Sequence, residues 1–127
     1  MSDHNVLPDI VQRYLDAYNR RDVAALVECV SESVVFENVS NASASTRIEG
    51  RVAFAHLAAQ AAEIFTVRRQ VVRTAVIAAH RVALEIDWTG TPAIDVGELK
   101  AGQPVHLRGA SFLTIEDGKL SNIVDLS

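Results

Sequence analysis

Between Ile10 and Asn38 the spacing of apolar residues changes from one helical turn to strict alternation. That change restricts the chain to folds in which a helical hairpin feeds a strand. Ile10, Val11, Tyr14, Leu15 and Tyr18 recur at helical spacing, and Pro8 and Asp9 suit the first turn. Asn19-Arg20-Arg21 interrupts the stripe, and Asp22 can accept bonds from the free amides of a second helix with Val23, Leu26, Val27 and Val30 on one face. From Ser33 the period is two. Val34, Phe36 and Asn38 share one side of the strand, and Val35, Glu37 and Val39 share the other. The apolar face therefore ends in an amide.

The segment Asn41-Ala42-Ser43-Ala44-Ser45-Thr46 is small, polar and aperiodic, and reads as a loop able to serve as a lid. Gly50-Arg51 opens a third helix whose stripe is Phe54, Leu57, Ala58, Ala61 and Ile64 or Phe65, ending near Thr66. Strands are expected over Val67–Ala78 and Val82–Thr89, flanking Ala79-His80, then over Val105–Glu116 and Lys119–Leu126, flanking the hairpin pair Asp117-Gly118. The breakers between Gly90 and Pro104 imply a long connection. The 127 residues thus form one domain of the α+β class, with three N-terminal helices packed on one face of a mostly antiparallel sheet.

Composition excludes more than it identifies. Twelve basic against 16 acidic residues leave a net charge of -4, which argues against a nucleic-acid partner or an anionic membrane surface. No run is long and apolar enough to span a membrane. The lone Cys29 and the absence of a basic, then apolar, N-terminal leader predict a reducing, cytoplasmic setting. His4, His56, His80 and His106 have no ligand-like spacing, and there is no phosphate loop, dinucleotide turn or nucleophile elbow. The expectation is no metal and no cofactor. Arg68, Arg69, Arg73 and Arg81 read as a solvated or dimer-facing sheet surface.

Four stretches carry a family likeness: Tyr14-Leu15-Asp16-Ala17-Tyr18-Asn19-Arg20-Arg21-Asp22, Ile48-Glu49-Gly50-Arg51, Trp88-Thr89-Gly90-Thr91, and Gly102-Gln103-Pro104-Val105 leading to Glu116-Asp117-Gly118-Lys119-Leu120. In this order the chain resembles the nuclear transport factor 2-like superfamily and, within it, the SnoaL-like polyketide cyclase group. The resemblance implies a curved sheet and three helices around a cone-shaped pocket, in a homodimer packed through the outer sheet face. It does not imply one activity, because this fold hosts isomerases, cyclases, hydrolases, dehydratases and non-catalytic modules.

Residue by residue, Tyr14 matches the oxyanion tyrosine of ketosteroid isomerases, but their base position is Asn38, which cannot take a proton from a ketone at neutral pH. Their acid-donor position falls near Ser111. Limonene-type epoxide hydrolases are similar at Phe36-Glu37-Asn38 and at Asp87 and Asp125, their acid/base pair, whereas Glu85 stands where they carry a bridging arginine. SnoaL-like cyclases use an aspartate at the place of Asp125.

Strand parity opposes both carboxylates. Leu120, Val124 and Leu126 set an apolar face with Asp125 opposite, unless a bulge, or a sheet covered on both sides, reverses that. Asp87 lies opposite Leu84, Ile86 and Trp88, in a solvated or dimer-facing position. The resulting expectation is a cofactor-independent SnoaL-like enzyme acting on a small apolar molecule that carries an oxygen. Asp125 and then Asp87 serve as general acid or base, Tyr14, Tyr18, Asn38 and Ser111 supply polar contacts, and Phe36, Phe54, Leu57 and Trp88 form walls, with Phe112 a further candidate on the outer parity. The alternative is a module of the same fold that binds a hydrophobic ligand or dimerises without chemistry.

Overall fold

The computed structural model describes residues 6–40 and 44–127. Its elements are α1 (Asp9–Asn19), α2 (Val23–Glu28), β1 (Val30–Val39), β2 (Thr46–Glu49), α3 (Arg51–Ile64), β3 (Phe65–Ala78), β4 (Arg81–Pro92), β5 (Val105–Glu116) and β6 (Lys119–Leu126). One six-stranded sheet runs in the order β2-β1-β6-β5-β4-β3. It is antiparallel except for the β1–β6 pair. The class is α+β, with the helices on one sheet face.

Local chemistry sets the helix ends. The Asp22 carboxylate accepts from the Ala25 amide at 3.1 Å and so starts α2. Lys119 Nζ donates to the Glu28 carbonyl at 2.5 Å where α2 ends. Arg21, held at φ 57°, donates to the carbonyls of Ala62 (2.5 Å to Nη2) and Thr66 (3.2 Å), closing the last turn of α3. Asn19 is bonded both ways to Gln70, its Oδ1 accepting from the Gln70 amide at 2.7 Å and its Nδ2 donating to the Gln70 carbonyl at 3.1 Å, which pins the end of α1 to β3.

The second helix is shorter than the sequence predicts. Val30 opens β1 instead of closing α2, because the Cys29 carbonyl already accepts from the Leu120 amide at 2.9 Å. The β1–β6 register then shifts between Val30 and Val35, and Arg51 donates to the Val30 carbonyl at 2.7 and 3.2 Å. The strand β2 is unexpected. Its four residues are mostly exposed and carry no alternation, so the sequence gives no strand signal there. Asn41 to Ser43 of the expected lid lie outside the described residues. The β4 strand also runs further than expected, to Pro92.

The core lies between the helices and the inner sheet face. Val11, Tyr14, Leu15 and Leu26 meet Val34, Phe36, Leu84, Ile86, Leu113, Leu120 and Ile123 there. Leu120 and Ile123 are both at 0% exposure although they are three residues apart, which simple alternation forbids. The explanation is a register shift: Thr114 pairs with Asn122 and Ile115 with Leu120, so β6 spends one extra residue, Ser121, against β5. Beyond that bulge the inward parity of β6 is odd.

Candidate functional site

The bulge brings Asp125 inward. Asn38 of β1, Asp125 of β6, Ser111 of β5 and Leu84 of β4 are successive partners across the sheet, a single row on the inner face. The Ser111 hydroxyl donates to Asp125 Oδ1 at 2.7 Å. Two cavity lobes meet over this row. One encloses about 360 Å³ beneath Phe65, Ile86, Trp88, Leu99, Val105 and Leu107. The other, of about 200 Å³, lies under the helices among Tyr14, Leu26, Phe36, Phe54, Leu57 and Ala58. Tyr18, Asn38, Ala61, Arg68 and Asp125 line both. The larger lobe has the size and the mixture of apolar walls with few polar groups that suit a small organic molecule.

Burial in this apolar setting pushes the Asp125 carboxyl up to about 6, against a smaller lowering from the Ser111 hydrogen bond. A carboxyl near 6 exchanges protons readily at neutral pH. The Tyr14 hydroxyl is raised well above its ordinary value, first by burial and then by the nearby charge of Asp125, so it stays a neutral donor. No hydrogen bond holds that hydroxyl among the described residues. Tyr18 is fixed from several sides: its hydroxyl accepts from Trp88 Nε1 at 2.8 Å, and the Arg68 guanidinium stacks on its ring at 3.8 Å. Edge-to-face contacts of Phe65 with Trp88 (5.0 Å between ring centres) and of Phe36 with Phe54 (5.8 Å) stiffen the walls.

Of the residues expected from sequence, Tyr14, Tyr18, Phe36, Asn38, Phe54, Leu57, Trp88, Ser111 and Asp125 all line this space. Asp87 does not. It lies on the outer sheet face beside Arg73 (2.7 Å), His106 (3.3 Å) and Arg108 (3.4 Å), which hold its carboxyl below the ordinary value. Asp87 and Asp125 are on opposite faces of the sheet, so the hydrolase-type aspartate pair is not formed. Glu85, at the position of the missing bridging arginine, pairs with Arg108 and Arg73 on that same outer face. Phe112, considered as a wall, is also outside and 39% exposed.

Arg68 is the converse correction. Expected on a solvated surface, it is buried at 5% exposure while its apolar neighbour Val67 is 64% exposed. Hydrophobicity along β3 is inverted at this point, and only the pairing Arg68↔Gly90, in line with the inward Gln70↔Trp88, reveals the parity. Groups of His, Cys, Asp and Glu able to hold a metal ion are absent among the described residues. Among those residues no helix is long and apolar enough to cross a membrane.

The fold and the cavity define an α+β protein of the nuclear transport factor 2-like, ketosteroid isomerase-like type. The SnoaL-like domain model matches residues 11–123, and the chain belongs to that family. Among solved structures, a candidate polyketide cyclase of Xanthomonas campestris is 28% identical with a TM-score of 0.72, over 93% of this chain and 87% of that one. IdmH, a candidate polyketide cyclase of Streptomyces antibioticus, is 19% identical with a TM-score of 0.75, over 92% and 88%. A hypothetical protein of Catenulispora acidiphila with a ketosteroid isomerase-like fold, in complex with trimethylamine, is 15% identical with a TM-score of 0.78, over 94% and 85%. No curated protein matches the chain.

Proposed function

We propose that the chain is a cofactor-independent enzyme of the SnoaL-like type in which Asp125 serves as general acid or base on a small, largely apolar substrate bearing an oxygen. The observation that carries this reading is the Asp125 carboxyl, raised to about 6 by burial at the junction of two apolar lobes. As carboxylate it would accept a proton from carbon or from a hydroxyl. The electron pair left behind would move onto the substrate oxygen, which the free Tyr14 hydroxyl would stabilise by donating to it. The protonated Asp125 would then return the proton at a second position. Asn38, next to Asp125 in the row, would orient the oxygen through its amide.

One carboxylate among the described residues that line the cavity fits proton relocation, as in cyclisation or isomerisation, better than epoxide opening by an aspartate pair. The outer sheet face, with Val71, Val76 and Phe112 exposed around the ion pairs of Asp87, is the surface through which two copies would associate. Proton exchange provides the test without knowledge of the natural substrate. A panel of aryl ketones and β-keto esters incubated in deuterium oxide should show enzyme-dependent α-deuteration by NMR, with a limb near pH 6, lost in Asp125→Asn and kept in Asp87→Asn. Equal exchange by wild type and Asp125→Asn would refute the assignment.

A further inference from the structure

Arg68 is an enclosed cation with too few acceptors. Its Nε donates to the Tyr18 carbonyl at 3.3 Å, while Nη2 is buried with no partner. No carboxylate pairs with it among the described residues, although the exposed Arg47, Arg73 and Arg108 each have one. Burial is the main influence lowering its pKa, and the charge of nearby Arg21 adds to that effect. A guanidinium stays charged even so. Asp125 lines the same two lobes but is bonded to Ser111 and does not neutralise it. Among the described residues this positive charge in the cavity therefore has no counter-ion, an arrangement that is costly unless something else supplies the anion.

We infer that Arg68 anchors a carboxylate of the cavity's occupant, which is a flat, mostly apolar carboxylic acid. One guanidinium edge offers two parallel N–H donors, which matches the two oxygens of a carboxylate. A phosphate would require further cations that these walls lack. The stacked Tyr18 ring fixes the guanidinium plane, and Trp88 fixes Tyr18 through its indole N–H. With the carboxylate on Arg68, the apolar body of the ligand lies along Phe65 and Trp88 in the larger lobe. The far end reaches Asp125. This placement deepens the proposed function and rests on it only for the role of that far end.

The test compares 2-naphthoate with its neutral twin 2-naphthamide by calorimetric titration at pH 7.5, together with thermal unfolding of the unliganded proteins. Wild type should prefer the acid by about tenfold or more. Arg68→Met should bind both alike, and should unfold at a higher temperature than wild type, because a buried unpaired charge has been removed. Arg68→Lys should keep part of the preference. No binding of naphthoate by wild type, or equal binding of the two probes, would overturn the inference. So would an Arg68→Met protein that keeps the preference, or one that melts below wild type and loses both probes together, since that pattern marks a structural cation. The two proposals separate in Asp125→Asn. If that variant exchanges protons like wild type yet still prefers naphthoate, the acid/base role falls and the anchor stands.

Discussion

Asp125→Asn should make the protein more stable, and only above a definite pH. The folded carboxyl titrates at about 6 against an ordinary value of 3.8. In an unfolded chain it would ionise near the ordinary value. Below about pH 4 both states are protonated and burial carries no electrostatic penalty. Between about pH 4 and 6 the unfolded chain has lost its proton while the folded one keeps it, so stability falls as pH rises. Above 6 both are ionised and the penalty is constant. At about 1.4 kcal/mol for each unit, a shift of roughly two units amounts to about 3 kcal/mol.

Asparagine has the same shape and can still accept from the Ser111 hydroxyl, but carries no charge. Its stability relative to wild type should therefore be near zero at pH 4 and rise to about 3 kcal/mol at pH 8, or roughly 10 °C in melting temperature for a domain of this size. Urea unfolding of both proteins at intervals of half a pH unit measures the difference curve directly. A flat curve would refute the burial of an ionisable Asp125, and so would a variant less stable than wild type at pH 8.

Three further outcomes follow from the same geometry. Ser111→Ala removes the donor that lowers the Asp125 carboxyl, so its titration, followed by carboxyl carbon NMR, should move to higher pH than in wild type. Gly90→Ala places a methyl 2.4 Å from the Trp88 ring, which must displace the ring and break its bond to Tyr18. Because Trp88 is the single tryptophan, its fluorescence should shift, and folding stability should drop by about 1–3 kcal/mol, as expected for overpacking. Asp87→Ala breaks solvent-exposed ion pairs only, so naphthoate affinity measured by titration should equal that of wild type.

How much of this was legible in the sequence depended on whether local pattern and tertiary role agreed. The helices announced themselves because Ile10, Tyr14, Phe54 and Ala58 keep helical spacing and face the core. The Asp117-Gly118 turn was legible because both residues take the positive φ that the pair favours. Asn38 followed from Val34 and Phe36 by simple alternation. Asp125 could be named only by family likeness, since its parity depends on the extra residue Ser121, and nothing about a serine in a strand marks it as a bulge. Arg68 was illegible for a different reason. The rule that charges lie outside rests on the cost of burying them, and Arg68 is buried at 5% exposure in spite of that cost, with nothing in its neighbours along the strand to mark the exception.

The bulge at Ser121 also means that the site depends on strand register as well as on residue identity. Were β6 to keep all its residues but pair with β5 from Leu120 without the bulge, the composition of the pocket strand would be untouched, yet the face presented to the cavity would become Val124 and Leu126 in place of Ile123 and Asp125. The carboxyl would pass to the outer surface and an isopropyl group would take its place. A slip of one residue in this pairing would thus take the only carboxylate among the cavity's lining residues away from it, and the opposite slip would restore it. For a scaffold shared by enzymes and by passive binders, that offers a short evolutionary path between the two.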